Sequence, residues 1–201
     1  MKKFSGIVGA IFFLLGAVLL FAGRSFVVPA FSKPVDITEG GIEEVSLNTA
    51  VEIDLELVFE RFSRRKNRDY HMVTVYGDND WIYFMPISIS SGSSGNYTEI
   101  VKESMDYLNG CTDAYGTETV PFQGVLLELD DRTEEELTKW FLENELVGQE
   151  SELQKFTLPY MLYSVNFDGV RQNIIIFGWM MLIGLVLLFQ KNLFGWKRGD
   201  A

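Results

Sequence analysis

The sequence is short of the residues on which many enzymes and secreted scaffolds depend. It carries one cysteine, Cys111, and one histidine, His71, in 201 residues. A lone cysteine excludes an internal disulfide. No G-x-S-x-G, no G-x-x-x-x-G-K-[ST] and no H-E-x-x-H occurs, so the nucleophile elbow, the phosphate-binding loop and the zinc-protease helix are all missing. Gly92-Ser93-Ser94-Gly95 has the wrong spacing for the first of these and belongs to a flexible loop, Ser90–Asn96. No internal repeat is present. Positive charge is scarce as well: between Arg24 and Arg171 stand 27 Asp and Glu against 12 Lys and Arg, a net of −15. Phosphate backbones attract the opposite sign, so nucleic acid is not an expected partner.

Charge disappears altogether from two stretches. Phe4–Gly23 holds twenty uncharged residues and Ile174–Phe189 sixteen. At the helical rise per residue the first reaches about 30 Å, the thickness of a hydrocarbon core, and the second about 24 Å. Flanking Asn173 and Gln190, with Lys191 snorkelling, would extend the shorter one. The first run exceeds the apolar core of a cleaved signal peptide, and no cysteine follows it for lipid attachment. Both runs are therefore expected to be transmembrane helices, the first over 4–28 and the second over 172–191. An extracytoplasmic domain would occupy 30–170 and a cytoplasmic tail 192–201. Lys2, Lys3, Lys191, Lys197 and Arg198 outnumber Arg24 and Arg171, which puts both termini in the cytoplasm of a cell-membrane protein. Trp196 suits an interfacial anchor. An exported domain without disulfides suggests a bacterial surface bounded by a single membrane.

Within the central domain, Val51–Val58 alternates apolar and acidic residues, the period of a half-buried strand. Tyr70–Tyr76 and Trp81–Ser90 read as strands joined by a Gly77–Asp80 hairpin loop, with Pro86 pointing to an edge or a bulge. Thr98–Leu108 reads as a helix closed by Asn109-Gly110. Val120–Leu129 is a strand. Thr133 with Glu136 forms a capping-box pattern opening a helix to about Val147. Leu137, Trp140 and Phe141 would pack that helix on the sheet, and Lys155–Phe167 supplies the last strand. The expected fold class is α+β: a mainly antiparallel sheet with two helices on one face, flanked by two transmembrane helices.

Several groups are candidates for function. Arg61, Arg64, Arg65, Lys66 and Arg68 place five cations within eight residues of an acidic domain, suited to anionic headgroups or wall polymers, or else to balancing the acidic strand before them. Gly9, Gly16 and Gly23 recur every seven residues in the first span, with Gly6 and Ala10 as a further small pair. Such residues let helices approach closely, within the chain, in a homo-oligomer or with a membrane-protein partner. Neither charge-free run, Phe4–Gly23 or Ile174–Phe189, contains an ionisable residue, which argues against an ion path. Asp78 and Asp80 could ligate calcium, but the twelve-residue loop pattern is missing and a turn is the better reading. Asp130-Asp131 and Glu134–Glu136 fit an acidic helix start. Asn96-Tyr97-Thr98 is a formal glycosylation sequon. Cys111, His71 and Arg132 give an anchored outer domain an inventory similar to that of sortases. Here, however, Leu108-Asn109-Gly110-Cys111 follows a helix, where sortases place a strand ending Thr-Leu-x-Thr-Cys. Structural roles for Cys111 and His71 are the expectation.

The basic start and first span, VEIDLELVFERF, YHMVTVYGDNDWIYFMPI, FQGVLLELDD and LPYMLYSV together resemble a domain-of-unknown-function family of two-pass membrane proteins from Gram-positive gut bacteria. The resemblance implies no activity and carries over no site residues. The expected function is a non-enzymatic interaction or assembly module with no cofactor and no metal, in contact with the lipid bilayer. The alternatives are a surface thiol enzyme using Cys111 and His71, or an accessory subunit of a transporter or envelope complex.

Overall fold

The computed structural model describes residues 2–77, 81–113, 119–144, 149, 153 and 155–194. The chain divides into two compact units, Ser32–Val165 and the pair Met1–Phe31 with Asn166–Ala201.

The central unit is α+β. Its strands are β1 (Val35–Asp36), β2 (Ala50–Leu55), β3 (Ser63–Arg65), β4 (Arg68–Tyr76), β5 (Ile82–Ser90), β6 (Val120–Glu128) and β7 (Tyr160–Ser164). They form one seven-stranded sheet in the order β1-β2-β6-β7-β5-β4-β3. The sheet is mixed: β1–β2 and β5–β7 run parallel, and the other neighbours antiparallel. Topology dictates part of this. The last strand, β7, enters between β5 and β6, which point in opposite directions, so it must be parallel to one of them. β5 is an interior strand and not the edge that Pro86 could have marked. The parallel ladder pairs Phe84 with Thr157 and then Ile87 with Leu162, so the partner segment bulges opposite the proline, where no N–H is required.

The cross-strand register of β4 and β5 sets the two faces. Val73 opposite Met85 lies on one face, and Thr74 opposite Phe84 on the other. The first face gathers Val73, Val75, Met85, Ile87, Phe122, Leu126 and Leu162 beneath Ile100 of helix α3 (Thr98–Leu108). The second gathers Met72, Phe59 and Phe84 beneath Leu137 and Phe141 of α4 (Asp131–Glu143). (Here α1 and α2 denote the two N-terminal helices described below.) The helices thus cover opposite faces, not the single face expected. The reason is compositional: β4 and β5 are apolar on both sides, and a strand of that kind needs cover on both. α3 ends as the sequence suggested, with Gly110 in the left-handed region at φ +70°. α4 starts differently. Its N-cap is Asp130, whose extended backbone lets the carboxylate accept from the Thr133 N–H at 3.1 Å; Thr133 lies inside the first turn. α4 ends at Glu143 with Asn144 as its C-cap, short of the expected Val147. Residues 78–80 of the hairpin loop, with the calcium candidates Asp78 and Asp80, and Trp196, Lys197 and Arg198 fall outside the described residues.

The other unit holds α1 (Lys2–Ala22), α2 (Arg24–Phe31) and α5 (Phe167–Phe194). α5 begins well before the charge-free run, because the Asn166 side chain caps it, accepting from the Gly169 N–H at 3.0 Å. Its apolar stretch Phe167–Phe189 is long and apolar enough to cross a membrane. Gly6–Ala22 and α2 meet that standard only as a pair, bent by 75° at Gly23. The single helix expected over 4–28 is thus broken at Gly23, and a second helix with Pro29 inside it runs on to Phe31.

α1 and α5 pack along a seam of small residues. A Cβ on Gly9 would lie 2.8 Å from the Gly184 carbonyl oxygen, and one on Gly184 would lie 2.7 Å from the Gly9 carbonyl oxygen and 2.6 Å from the Phe13 nitrogen. At Gly16 a Cβ would meet the Phe177 carbonyl oxygen at 2.9 Å. Gly23 faces its own helix and marks the bend.

Candidate functional site

The basic segment Arg61–Arg68 is the centre of the most connected polar network in the central unit. Its residues form strand β3 and the turn into β4, with Lys66 at φ +52° at the tip. Pairing with β4 aims successive side chains at different partners. Arg61 and Arg64 both reach the buried carboxylate of Asp69, each at 3.3 Å. Arg65 crosses to α4. It lies 3.3 Å from Asp130 and 3.4 Å from Glu136, donates to the Thr133 hydroxyl, and stacks over Tyr70 at 4.3 Å.

Arg68 is different. Its Nε donates to the Ser88 hydroxyl at 2.6 Å, and its Nη2 donates to the carbonyls of Ser88 and Ser164 and to the Ser164 hydroxyl. Its guanidinium lies 3.5 Å from the centre of the Tyr163 ring. Among the described residues it has no carboxylate partner. Burial lowers its pKa, and the nearby Tyr163 and Tyr70 oppose that shift.

The carboxylates answer to the same network. Burial pushes Asp130 upward, but hydrogen bonds from Thr133 and the Arg65 cation outweigh it and hold the group below its ordinary value. Glu136 behaves alike: burial raises it, and hydrogen bonds from Ser63 and Arg132 together with the nearby Arg65 and Arg132 charges bring it lower overall. Four of the five cations therefore have partners inside the domain: Asp69 for Arg61 and Arg64, α4 and its cap for Arg65, and Ser88, Ser164 and Tyr163 for Arg68, none of them on the acidic strand β2. Sequence reading found the cations and missed Asp69, Ser88, Tyr163 and Ser164. The signal available was the position of Asp69 at the start of a largely buried strand, where a buried carboxylate requires a cation.

This geometry gives a first expected result. Arg65→Ala strands two carboxylates against one another beside α4. Breaking a pair with one largely buried partner costs less than the fully buried case and more than a surface pair, about 2 kcal/mol. Chemical denaturation of the full chain should show that loss, whereas Lys66→Ala at the exposed tip should leave the midpoint in place.

His71 and Cys111 are not brought into contact. His71 is buried in β4, with its Nδ1 3.0 Å from the Phe59 carbonyl oxygen, an atom that can only accept. Nδ1 therefore carries the proton. Cys111 is exposed after α3, and Arg132 is paired with Glu136 at 2.9 Å. No hydrogen bond links the three among the described residues. Burial is the main cause of a lowered His71 pKa, opposed by the Phe59 hydrogen bond and Asp69 and aided by Arg61. The folded state thus holds His71 neutral more strongly than the unfolded chain does. Its stabilisation is complete above about pH 6.5, the unfolded value, and is lost as pH falls from there through the folded value. Thermal melts of the full chain should weaken over that window, and His71→Gln should flatten the slope there while leaving the acid loss from Asp130 and Glu136, whose lowered folded values make it set in only below their unfolded range of about 4.

No cluster of three or more metal-ligating side chains occurs among the described residues. In comparisons with known proteins, the family model described as Domain of unknown function (DUF8577) matches residues 1–194. No curated protein and no solved structure matches the chain.

Proposed function

We infer that this chain, which belongs to the family described as Domain of unknown function (DUF8577), is a two-pass membrane protein presenting a non-enzymatic interaction domain outside the cytoplasm. The observation that carries the membrane part is the α1–α5 pair. The two helices meet at glycines, and their large apolar side chains point elsewhere: Leu14, Val18 and Trp179 are each about 60% exposed. Water would tolerate a small patch of this kind and not two whole helices of it. Lipid removes the conflict, because close packing through small residues is the way helices associate where no hydrophobic force drives them together.

The interaction reading rests on what the central unit does with its polar groups. Arg61, Arg64, Arg65 and Arg68 are spent on cross-bracing β3, β4, β7 and α4, and Cys111 stands apart from His71. Among the described residues the arginines act as braces, and no hydrogen bond or ion pair joins Cys111, His71 and Arg132 to one another. The test has three arms. Labelling of a cysteine placed within Ser90–Asn96, in a Cys111→Ser background, should succeed on intact cells; labelling only after lysis would reverse the orientation. Cys111→Ala should leave the cellular phenotype unchanged, and its loss with the fold intact would return the thiol-enzyme reading. Purification in mild detergent should recover a partner protein, and recovery of a lone monomer would count against the assembly role.

A further inference from the structure

We propose that α2 is an in-plane anchor, seated on phospholipid at the headgroup–acyl boundary of the leaflet that α1 leaves. The proposal rests on the membrane reading above and adds to it a second, shallower lipid contact. The residues that carry it are on one stripe of α2. Arg24, Val28 and Phe31 follow the i, i+4, i+7 spacing of a helix face. Val28 is 69% exposed and Phe31 60%, whereas Pro29 and Ala30 are buried. Phe21, at the end of α1, is 69% exposed as well, and the Arg24 guanidinium lies 4.9 Å from the centre of its ring. Behind the stripe, Phe26 and Val27 border an apolar cleft of about 140 Å³ with Leu19, Val170, Ile174 and Phe177.

The 75° bend at Gly23 turns this stripe away from the direction of α1. If α1 crosses the bilayer near its normal, α2 lies close to the plane of the membrane. A helix in that plane has a water side and a hydrocarbon side, and a face of two large apolar residues plus one cation matches the boundary between them. Arg24 makes no ion pair among the described residues, so its charge is available to a lipid phosphate, with Phe21 as the aromatic at the same level. Arg171 holds the helix in place, donating to the Ala30 carbonyl oxygen while paired with Asp168 at 2.9 Å. A protein partner fits less well. Three side chains cannot supply the buried area of about 1,200 Å² at which stable protein interfaces begin. Lipid needs no such area, because the same apolar surface continues down α1.

The test uses the full chain in vesicles of phosphatidylcholine and phosphatidylglycerol, in a Cys111→Ser background. Val28→Cys, Phe31→Cys and Leu14→Cys each receive an environment-sensitive fluorophore. All three positions are exposed, so the substitutions do not touch the packing. Brominated lipids then quench from near the headgroup or from near the chain end. The expected result is strong quenching at 28 and 31 by the shallow bromines and little by the deep ones, with the reverse order at 14. Water-like emission at 28 and 31 with deep quenching at 14 would overturn the anchor and leave the span standing. Deep quenching at 28 and 31 would also overturn it, making α2 a continuation of the span. Shielding of 28 and 31 from an aqueous quencher without bromine quenching would assign the stripe to a protein. Absence of quenching at 14 would sink the membrane reading itself.

Discussion

Gly184→Leu should separate α1 from α5 and leave the chain a poor substrate for folding, visible as loss of the monodisperse species in mild detergent and rapid proteolysis in the cell. The argument is one of distance. A Cβ at Gly184 falls 2.6 Å from the Phe13 nitrogen and 2.7 Å from the Gly9 carbonyl oxygen, and both are backbone atoms. A flexible side chain could move aside; a helix backbone moves only by shifting the whole helix. Overpacking in a well-packed region costs about 1–3 kcal/mol when side chains can adjust, so this case belongs at or above the upper end. Gly184→Ala should already weaken the pair, and Gly9→Leu should match Gly184→Leu. The control is Gly178→Leu on the same helix. Nothing lies within 4 Å of a Cβ there, and its stability should be unchanged. Equal tolerance at 178 and 184 would mean that the glycine seam does not hold the two helices together.

That seam shows what can be read from a sequence of this kind and what cannot. The heptad of Gly9, Gly16 and Gly23 singled out one side of a helix, since glycine spacing is a local property. Its counterpart Gly184 stands among several glycines in α5, and no spacing rule picks it; only the crossing point of two helices does. The same divide runs through the central unit. β2, β4, β5, α3 and β6 follow from alternation, β-branched content and caps, all carried by neighbouring residues. The two-residue strand β1 and the three-residue strand β3 have no periodicity to read and exist because an adjacent edge needed hydrogen bonds. β3 was legible as a basic loop and not as a strand, because Ser63-Arg64-Arg65 has little apolar content of its own. Likewise Arg68 was identified as one cation among five. Its separation from the others comes from Ser88, Tyr163 and Ser164, which are distant in the chain and meet only when β7 inserts beside β5.

Gly124→Val should be the most damaging single change in the central unit, and it should act on Arg68 without touching it. Gly124 pairs with Ser164 across the β6–β7 ladder. A Cβ at this position would lie 2.5 Å from the Tyr163 carbonyl oxygen and 2.9 Å from its carbonyl carbon. The strands cannot keep their spacing with any side chain there, which is the usual meaning of a glycine inside a strand. Moving β7 outward carries Tyr163 and Ser164 with it, and these supply the aromatic face and two of the acceptors that hold the Arg68 guanidinium. The half-buried cation would then lose its stacking and half of its hydrogen bonds together. Hydrogen bonds to charged groups are worth about 1.5–3 kcal/mol each, so the strand clash and the loosened arginine should together cost about 4 kcal/mol or more. Denaturation of the full chain measures the sum. A second measurement separates the parts: Arg68→Met, which keeps the apolar stem and removes the charge, should be nearly as destabilising alone as the arginine's share, and it should add little to Gly124→Val, because residues that act as one network are not additive. Full additivity of the two would mean that Gly124 serves the sheet alone and that the arginine's platform does not depend on the close approach of β6 to β7.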